Sequence, residues 1–548
     1  MSRPTEHEPF WSPLRIAVFR SLWIASFASN VGTLMQSVGA AWLMTSLTSS
    51  ALLVALVQTA TNLPTFLLAL PAGALADILD RRKLLLYSQA WMLVAAGLLG
   101  LLTLWGQTSP GILLGLIFAL GLGAAMNAPA WQAIVPELVP SKTLPAAVAL
   151  NSAGFNLARA VGPALGGLLV ASFGPAITFL LNAASFVGVL AVLLMWQRPP
   201  RETELPPENL VEAIVGGVRY IQHAVDLHNV LVRTSLFLLS ASALWALLPL
   251  IDRIELAMGP AGYGLLLAFL GLGAVLGAMV LPRLQRAMST ERLLALSTLA
   301  YAFGLAAPAI APSLPLICLG LFLAGISWLV SLSRFNVTVQ AVVPEWIRGR
   351  ALAVYLLVVF GILSLGSALW GALAGWIGLT TTLAVSAGCM LASVALGRPF
   401  PLPNTRGLDL TPSMHWAEPN VVGPLLPEQG PVFVTIEYRI DPERAAGFLA
   451  AMKDLRRIRS RDGALRWYLL RDTADPTRYV ETFMSRNWLE HLRQHERVTV
   501  EDRAIEEQAR AFHIADQPPV ILHFLAESWG ERWKPEHPQD HKAEQGLP

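Results

Sequence analysis

Charged residues are scarce in this chain of 548 residues: they make up 14% of it, whereas hydrophobic residues make up 54% and the mean hydropathy is +0.53. A soluble surface needs more charge, so the composition is typical of a membrane protein. The scarcity is confined to one part, because residues 1–399 carry 20 Lys and Arg with 14 Asp and Glu, whereas residues 400–548 carry 19 with 23. Two domains in different solvents are therefore predicted.

Cysteine is nearly absent, and Cys318 and Cys389 both lie in apolar runs. This excludes a disulfide framework and a thiolate metal site. No glycine-rich phosphate loop or dinucleotide turn occurs, which argues against an ATP-driven pump. The net charge of +2 is dispersed, which argues against a nucleic-acid partner. We expect no cofactor and no metal.

Twelve apolar stretches reach the roughly 20 residues that a bilayer crossing requires. Basic residues fall on alternate loops between them, and with the N-terminus inside only Arg253 lies in an outer loop. We therefore expect a plasma-membrane (inner-membrane) protein with both termini in the cytoplasm. The predicted spans are 21–45, 50–76, 84–106, 111–135, 147–171, 175–196, 230–251, 261–282, 292–311, 315–341, 351–375 and 378–397.

An internal repeat relates the two halves of the apolar region. QAIVPE from Gln132 recurs as QAVVPE from Gln340, an offset of 208 residues. Such duplication is typical of transporters built from two halves. The fold class predicted for this region is an all-α membrane protein of twelve transmembrane helices in two six-helix halves.

After residue 430 the pattern changes to alternating strands and amphipathic helices in the order β-α-β-β-α-β, which predicts a small C-terminal ferredoxin-like α+β domain. The region before it is rich in Pro and Gly and is predicted to be a tether. The predicted organisation is an N-terminal tail 1–20, a first bundle 21–196, a linker 197–229, a second bundle 230–397, a tether 398–430, the ferredoxin-like domain 431–530 and a flexible tail 531–548.

Polar and basic residues within the spans are candidates for a substrate cavity, because charge inside a membrane is costly. Arg159 lies near the middle of span five, and Arg334 lies in the inner half of span ten, from which it has the alternative of reaching the interface. Spacings of three and four residues place polar side chains on one helix face. The predicted cavity residues are Arg159, Asn156, Asn30, Thr33, Arg334 and Ser331, with ordinary interhelical hydrogen bonding as the alternative.

Acidic residues are predicted to be absent from the depth of every span, with Asp252 and Glu255 at the outer mouth. A cavity with arginine and no buried acid favours an anionic or polyhydroxylated substrate over a cationic drug. In the C-terminal domain, His491 and His495 share a helix face, a spacing that two metal ligands can use. Further ligands are not evident, so a solvated or partner-facing helix is the favoured interpretation.

The segment GALADILDRRK from Gly73 closely resembles the conserved loop motif of the major facilitator superfamily. The resemblance implies that Gly73 permits close helix approach and that Asp77 and Arg81 latch the two halves in one state, with Arg82 in the same motif. Glu137 either extends this charge network or is solvated at a helix end. The alternative for the whole segment is a basic loop that only sets topology.

The segment GPALGG in span five resembles a motif of antiporter branches of the superfamily. The resemblance implies that Gly162, Pro163, Gly166 and Gly167 pack span five against the other half. Packing without antiport is the alternative, because glycine and proline also serve as ordinary packing devices in membrane helices.

The chain as a whole resembles the branch of the superfamily that contains the enterobactin exporter and transmembrane secretion effectors. SNVGTLMQSVGAAWLM in span one, QAVVPEWIRGRALA and the appended C-terminal domain carry this resemblance. It implies a secondary transporter, not an enzyme, that exports a small molecule by alternating access: a siderophore, another secondary metabolite or a drug. Because the C-terminal domain looks like the barrels of antibiotic-biosynthesis monooxygenases, the alternative is a membrane-tethered enzyme or ligand sensor. A third possibility is that this domain forms a homodimer.

Overall fold

The computed structural model describes residues 9–140, 142–196, 224–403, 408–416, 419, 421, 423 and 425–526, without the side chains of 70, 73, 74 and 76–78. Most of the predicted linker and the whole predicted C-terminal tail lie outside the described residues. The described residues form a helical unit and a smaller α+β unit.

The described part of the helical unit contains twelve helices of 18 residues or more. A π-helical segment, Ile251–Leu256, extends the seventh. The helices are α1 Ala17–Leu47, α2 Ala51–Ile78, α3 Arg81–Leu104, α4 Pro110–Leu138, α5 Leu144–Phe173, α6 Ala176–Met195, α7 Val225–Leu250, α8 Pro260–Ala287, α9 Thr290–Ile310, α10 Leu314–Ala341, α11 Glu345–Ile377 and α12 Leu379–Leu396.

Each of the twelve predicted spans overlaps one of these helices. Among the described residues, eleven helices are long and apolar enough to cross a bilayer, which confirms a helical membrane protein. Helix α1 is the exception, because Ser26, Asn30, Thr33 and Gln36 lower its hydropathy. A twelfth span therefore stays a prediction.

Short polar residues and prolines set where the helices begin. The side chains of Ser50, Asp80, Ser109 and Ser289 accept hydrogen bonds from backbone N–H groups in the first turns of α2, α3, α4 and α9. Helices α4, α5, α8 and α10 have proline in the first two positions, where its missing N–H removes no intrahelical bond. These polar residues and prolines therefore keep the connections between helices to a few residues.

The two halves of the helical unit repeat the same packing. In the first half α4 packs on α2 and α3, and α6 packs on α1 and α3. In the second half α10 packs on α8 and α9, and α12 packs on α7 and α9. The halves meet where α5 packs on α8 and α2 packs on α7. The repeated pairing is what a duplicated six-helix unit predicts.

The described part of the α+β unit contains four strands and three longer helices. Their order is β1 Val432–Arg439, α13 Ala445–Asp462, β2 Arg466–Arg471, β3 Arg478–Ser485, α14 Trp488–Arg497, α15 Val500–Arg510 and β4 Val520–Leu525. The sheet order is β2-β3-β1-β4, and every pairing is antiparallel, with Val432 opposite both Ser485 and Leu525.

The core of this unit lies on one face of the sheet. Alternate residues of β1, among them Val434 and Tyr438, are buried against Phe448 and Met452 of α13. Thr499 forms a capping box with Asp502, which starts α15 and separates it from α14. The second crossover between strands is therefore made of two helices.

Candidate functional site

A cavity of about 600 Å³ lies within the first half, between α1, α3, α4, α5 and α6. Among the described residues, no charged side chain lines it. Its walls combine carboxamides with aromatic rings, and the main lining residues are Trp23, Phe27, Asn30, Gln89, Asn127, Trp131, Gln132, Asn151 and Asn156.

Several of the carboxamides in this cavity are available to a solute. Asn30, Gln132 and Asn151 make no side-chain hydrogen bond within the described part of the chain. Gln89 donates to the Asn127 side chain at 3.1 Å, and Asn156 donates to a carbonyl of its own helix at 2.9 Å. Because each carboxamide offers two donor hydrogens and an acceptor oxygen, the cavity can bind hydroxyl, carbonyl and amide groups.

The aromatic wall of the cavity is held in place. The rings of Trp23 and Phe27 are stacked, with centroids 5.9 Å apart. The indole N–H of Trp23 donates to the Leu150 carbonyl at 3.1 Å. Gly154 of α5 makes room for this indole, since a Cβ there would lie 3.3 Å from the ring. A fixed apolar surface next to unpaired amides is typical of a small-molecule site.

Arg159 does not line this cavity. It faces a separate space of about 70 Å³, together with Gln58, Trp245 and Tyr263. Its guanidinium lies 5.8 Å from the centre of the Trp245 ring and makes no ion pair or hydrogen bond with a described residue. A cation–π contact offsets only part of the cost of burying an arginine, so a further partner would be favourable.

The other predicted cavity residues lie elsewhere. The Thr33 hydroxyl donates to the Asn182 side chain at 3.4 Å, an interhelical bond between α1 and α6. Arg334 donates to the hydroxyl of Thr290, and Ser331 is fully buried, with no hydrogen-bond partner for its hydroxyl in the described residues. Of the six predicted residues, the structure brings only Asn30 and Asn156 together in the large cavity.

Glycines of α5 bring the two halves into close contact. A Cβ on Gly167 would lie 2.8 Å from the Cα of Gly264 in α8, and a Cβ on Gly264 would lie 3.0 Å from the Pro163 carbonyl oxygen. Gly162 and Gly166 make the same kind of approach to Leu34 and Met35 of α1. In the structure Pro163 and Gly167 contact the other half, as the resemblance implies, whereas Gly162 and Gly166 contact α1 within the first half.

The contacts between the halves continue on a second pair of helices. Gly371 of α11 lies against Ala55 of α2, and the Thr59 hydroxyl donates to the Ser364 carbonyl at 2.9 Å. Arg253 donates to the Thr48 carbonyl at 3.3 Å. These contacts surround the first turns of α2 and α8. The large cavity lies toward the first turns of α1 and α5, at the opposite end of the bundle.

The predicted latch residues Arg81, Arg82 and Glu137 lie where α3 begins and α4 ends, at the end of the bundle that holds the large cavity. Arg81 forms an ion pair of 2.9 Å with Glu137 and donates to the Ala133 carbonyl at 3.1 Å. Arg82 donates to two carbonyls at the end of α6, those of Leu193 and Leu194, both at 2.8 Å. The first turn of α3 is thereby tied to the ends of α4 and α6. The side chains of Gly73 and Asp77 lie outside the described residues.

The expectation that Asp252 lies at an aqueous mouth is wrong. Asp252 is fully buried, and neither carboxylate oxygen has a hydrogen-bond partner in good geometry among the described residues. Gly262 leaves space for it, because a Cβ there would lie 2.4 Å from Oδ1. The reason is that α7 continues as a π-helix instead of ending in a loop, and this turns Asp252 toward α8.

Because the sequence analysis looked for charged residues within the spans, it missed four carboxamide residues of the cavity: Gln89, Asn127, Gln132 and Asn151. The signal that finds them is the repeated occurrence of carboxamides within apolar spans, since a buried amide also needs a partner.

Comparisons with known proteins are consistent with this geometry. The model of the transmembrane secretion effector family matches residues 9–530. The multidrug efflux pump Tap of Mycolicibacterium fortuitum is 28% identical over 73% of this chain and 97% of its own length. The enterobactin exporter EntS of Shigella boydii is 29% identical over 61% and 79%. Among solved structures, a bacterial homologue of the human lysosomal transporter Spinster, inward-facing and unoccupied, has a TM-score of 0.54 at 17% identity and covers 72% of this chain and 96% of its own.

Proposed function

Because the chain belongs to the transmembrane secretion effector family of the major facilitator superfamily, we propose that it exports a small polar molecule across the bacterial inner membrane as a secondary transporter. The observation that carries this proposal is the carboxamide-lined cavity, together with close contacts between the halves at the opposite end of the bundle. Relatives that export enterobactin or drugs support it.

The mechanism that we propose is alternating access between the two six-helix halves. In this proposal α1 is the twelfth span, because its polar side chains face the cavity and α6 rather than lipid. In this proposal both termini are cytoplasmic. The end of the bundle that holds the large cavity therefore opens to the cytoplasm, where an exporter loads its cargo. Release then requires parting of the contact between Gly167 and Gly264.

The substrate class follows from the chemistry of the lining. Uncharged amides donate and accept hydrogen bonds, and the Trp23 and Phe27 rings offer an apolar surface. We propose a polyhydroxylated or amide-rich molecule with an aromatic part, such as a siderophore or another secondary metabolite. Arg159 lies toward the end opposite the large cavity and would attract an anionic group as the cargo moves outward.

Transport in proteoliposomes tests this proposal. A panel of hydroxylated aromatic amides and lipophilic cations would be offered to the full-length protein. We expect uptake of the first class, and we expect Asn30→Leu and Asn156→Leu each to lower it at least tenfold. Leu168→Ala is the control, since this side chain of α5 is 59% exposed on the bundle surface. Equal transport by all three variants, or transport of the cations alone, would contradict the proposal.

We further propose that Arg81 and Glu137 belong to the conformational latch. Their ion pair is largely shielded, with side chains 17% and 15% exposed, so it is stronger than an exposed pair. In this proposal Asp77 and Gly73 complete the latch, as the motif implies. Opening toward the other side would require the first turn of α3 to part from neighbouring helices.

For the C-terminal unit we propose a ferredoxin-like fold that forms a homodimer through the open face of its sheet. Pairing across the strands puts Tyr468, Leu470, Leu522 and Phe524 on that face, each at least half exposed. A contiguous apolar face of this kind marks a protein interface, and a second copy offers the matching apolar face. Native mass spectrometry tests this. Leu470→Asp with Phe524→Asp should give monomers, whereas unchanged mass would contradict the dimer.

A further inference from the structure

Three histidines converge in the C-terminal unit, outside the transport machinery. His491 and His495 lie one turn apart on α14, and His523 lies on β4. Their candidate ligand nitrogens all lie within 4.8 Å of one another. The interpretation of α14 as a solvated histidine face is therefore wrong for His491, which is fully buried. The third histidine was missed because it is distant in sequence.

The spacing of two of these nitrogens matches a metal site. Nε2 of His491 and Nε2 of His495 are 3.3 Å apart. Two imidazole nitrogens bound tetrahedrally at the 2.0–2.1 Å typical of zinc would lie about 3.3 Å apart. The rings are nearly perpendicular, at 89°, so their lone pairs can point to one position without the rings clashing. The ring of His523 lies beside that of His491, with centroids 4.8 Å apart.

The surroundings of the cluster do not add Glu506 as a free ligand. The buried Glu506 carboxylate is already bound by Arg459 and by His415, the latter at 3.0 Å. The rings of Trp416 and Trp488 lie beside His495 and His491, with centroids 4.9 and 5.4 Å away. Three imidazole donors would leave the fourth position of a tetrahedral metal to water or a small ligand.

We propose that His491, His495 and His523 bind a divalent first-row transition metal, with zinc as the best fit to the spacing. Imidazole ligands suit zinc, copper, nickel and iron, whereas magnesium and calcium prefer oxygen. The proposal is independent of the transported cargo, because it rests only on the C-terminal unit.

Metal titration of the full-length protein in detergent, with chelator treatment first and any affinity tag removed, tests this proposal. We expect elemental mass spectrometry to detect one bound Zn²⁺ per chain. Co²⁺ should give the intense visible absorption of a tetrahedral site. His523→Gln and His495→Gln should each weaken zinc binding at least tenfold, and His228→Gln, in α7, is the matched control.

The two histidine variants are tested in parallel so that the metal proposal can still be decided if one of them fails to fold. His523 and His495 are both partly exposed, so their replacement disturbs the core less than replacement of His491. Circular dichroism and melting of each variant check folding. Unchanged zinc affinity in both folded variants, or no zinc bound by the wild-type chain beyond one tenth of stoichiometry, would overturn the proposal.

Discussion

Gly167 of α5 and Gly264 of α8 lie backbone against backbone between the two halves, so close that a Cβ on Gly167 would be 2.8 Å from the Gly264 Cα. Neither residue can carry a side chain without forcing the helices apart. Closure of this end of the bundle therefore depends on two glycines. A substitution at either glycine should change the stability of the closed state without changing any polar residue.

Gly264→Leu should open this end of the bundle. Overpacking of this kind costs about 1–3 kcal/mol, which shifts a two-state equilibrium by a factor of about 5 to 150. Spin labels at Ser49→Cys and Ile254→Cys, with Cys318 and Cys389 replaced by serine, report the distance across that end. We expect a larger population at long distance. Gly188→Leu is the control, because nothing lies within 4 Å of a Cβ there. The same distribution in both variants would count against closure by these glycines.

The ion pair between Arg81 and Glu137 should show coupling in a double-mutant cycle. Arg81→Gln, Glu137→Gln and the double variant should give a coupling free energy of about 1 kcal/mol in thermal unfolding, because the pair is largely shielded from water. Transport by Glu137→Gln should fall, whereas Asp80→Asn, which retains a cap for α3, should preserve it. Additive effects on stability would show that the pair is not coupled.

Asp252 should be needed for coupling of transport to a proton gradient. A carboxyl group buried without a hydrogen-bond partner costs less when protonated, so its proton can be tied to one conformation. Asp252→Asn should abolish stimulation of transport by an imposed pH gradient and leave substrate binding intact. Glu255→Gln is the control, since Glu255 is partly exposed and accepts a hydrogen bond from Thr380. Full stimulation of Asp252→Asn would exclude this role.

The C-terminal unit should lose stability in acid through Glu506. Burial alone would raise the pKa of Glu506, but Arg459, aided by His415, outweighs it and lowers the pKa to about 2. Arg510 also faces this carboxylate, at 3.6 Å. Because the unfolded chain takes up the proton first, the stabilisation is present above pH 4.5 and is lost as the pH falls toward 2.

The size of this effect can be measured by replacing the carboxylate. Glu506→Gln should remove about 3 kcal/mol at pH 7, since it leaves Arg459 buried with one partner fewer. It should also flatten the loss of stability between pH 4.5 and 2. Hydrogen exchange of the β1 and β3 peptides, corrected for intrinsic rates, measures both. Glu507→Gln is the control, because Glu507 is exposed and pairs only with Arg503 in the described residues. A profile equal to that of wild type would refute the assignment.

Local hydropathy predicted the positions of the helices, because each span carries its own signal. The order of strands and helices along the C-terminal unit was also accessible, since each strand has alternating residues and clear turns around it. The direction in which each side chain of a helix points was harder to predict. Asn156 and Arg159 are one turn apart on α5, yet they face different cavities. The Arg159 backbone lies against Gly271 of α8, where an added Cβ would be 3.2 Å from the Arg159 carbonyl oxygen.

The same limit applies to α1 and to the histidines. Asn30 faces the cavity and Thr33 faces α6, a difference set by the position of Asn182 on another helix. His523 reaches His491 only because β4 pairs with β1 at the sheet edge. Such contacts depend on tertiary packing, which the periodicity of a single segment does not contain.

The weak hydropathy of α1 has a consequence for biogenesis. A helix that carries several polar groups partitions poorly into lipid by itself. The Gln36 side chain of α1 finds its partner only when α6 has been synthesised, since Asn182 donates to it at 2.6 Å. We therefore expect α1 to stay at the insertion machinery until the rest of the first half emerges, so that ribosome-bound chains ending before α6 remain extractable by alkali.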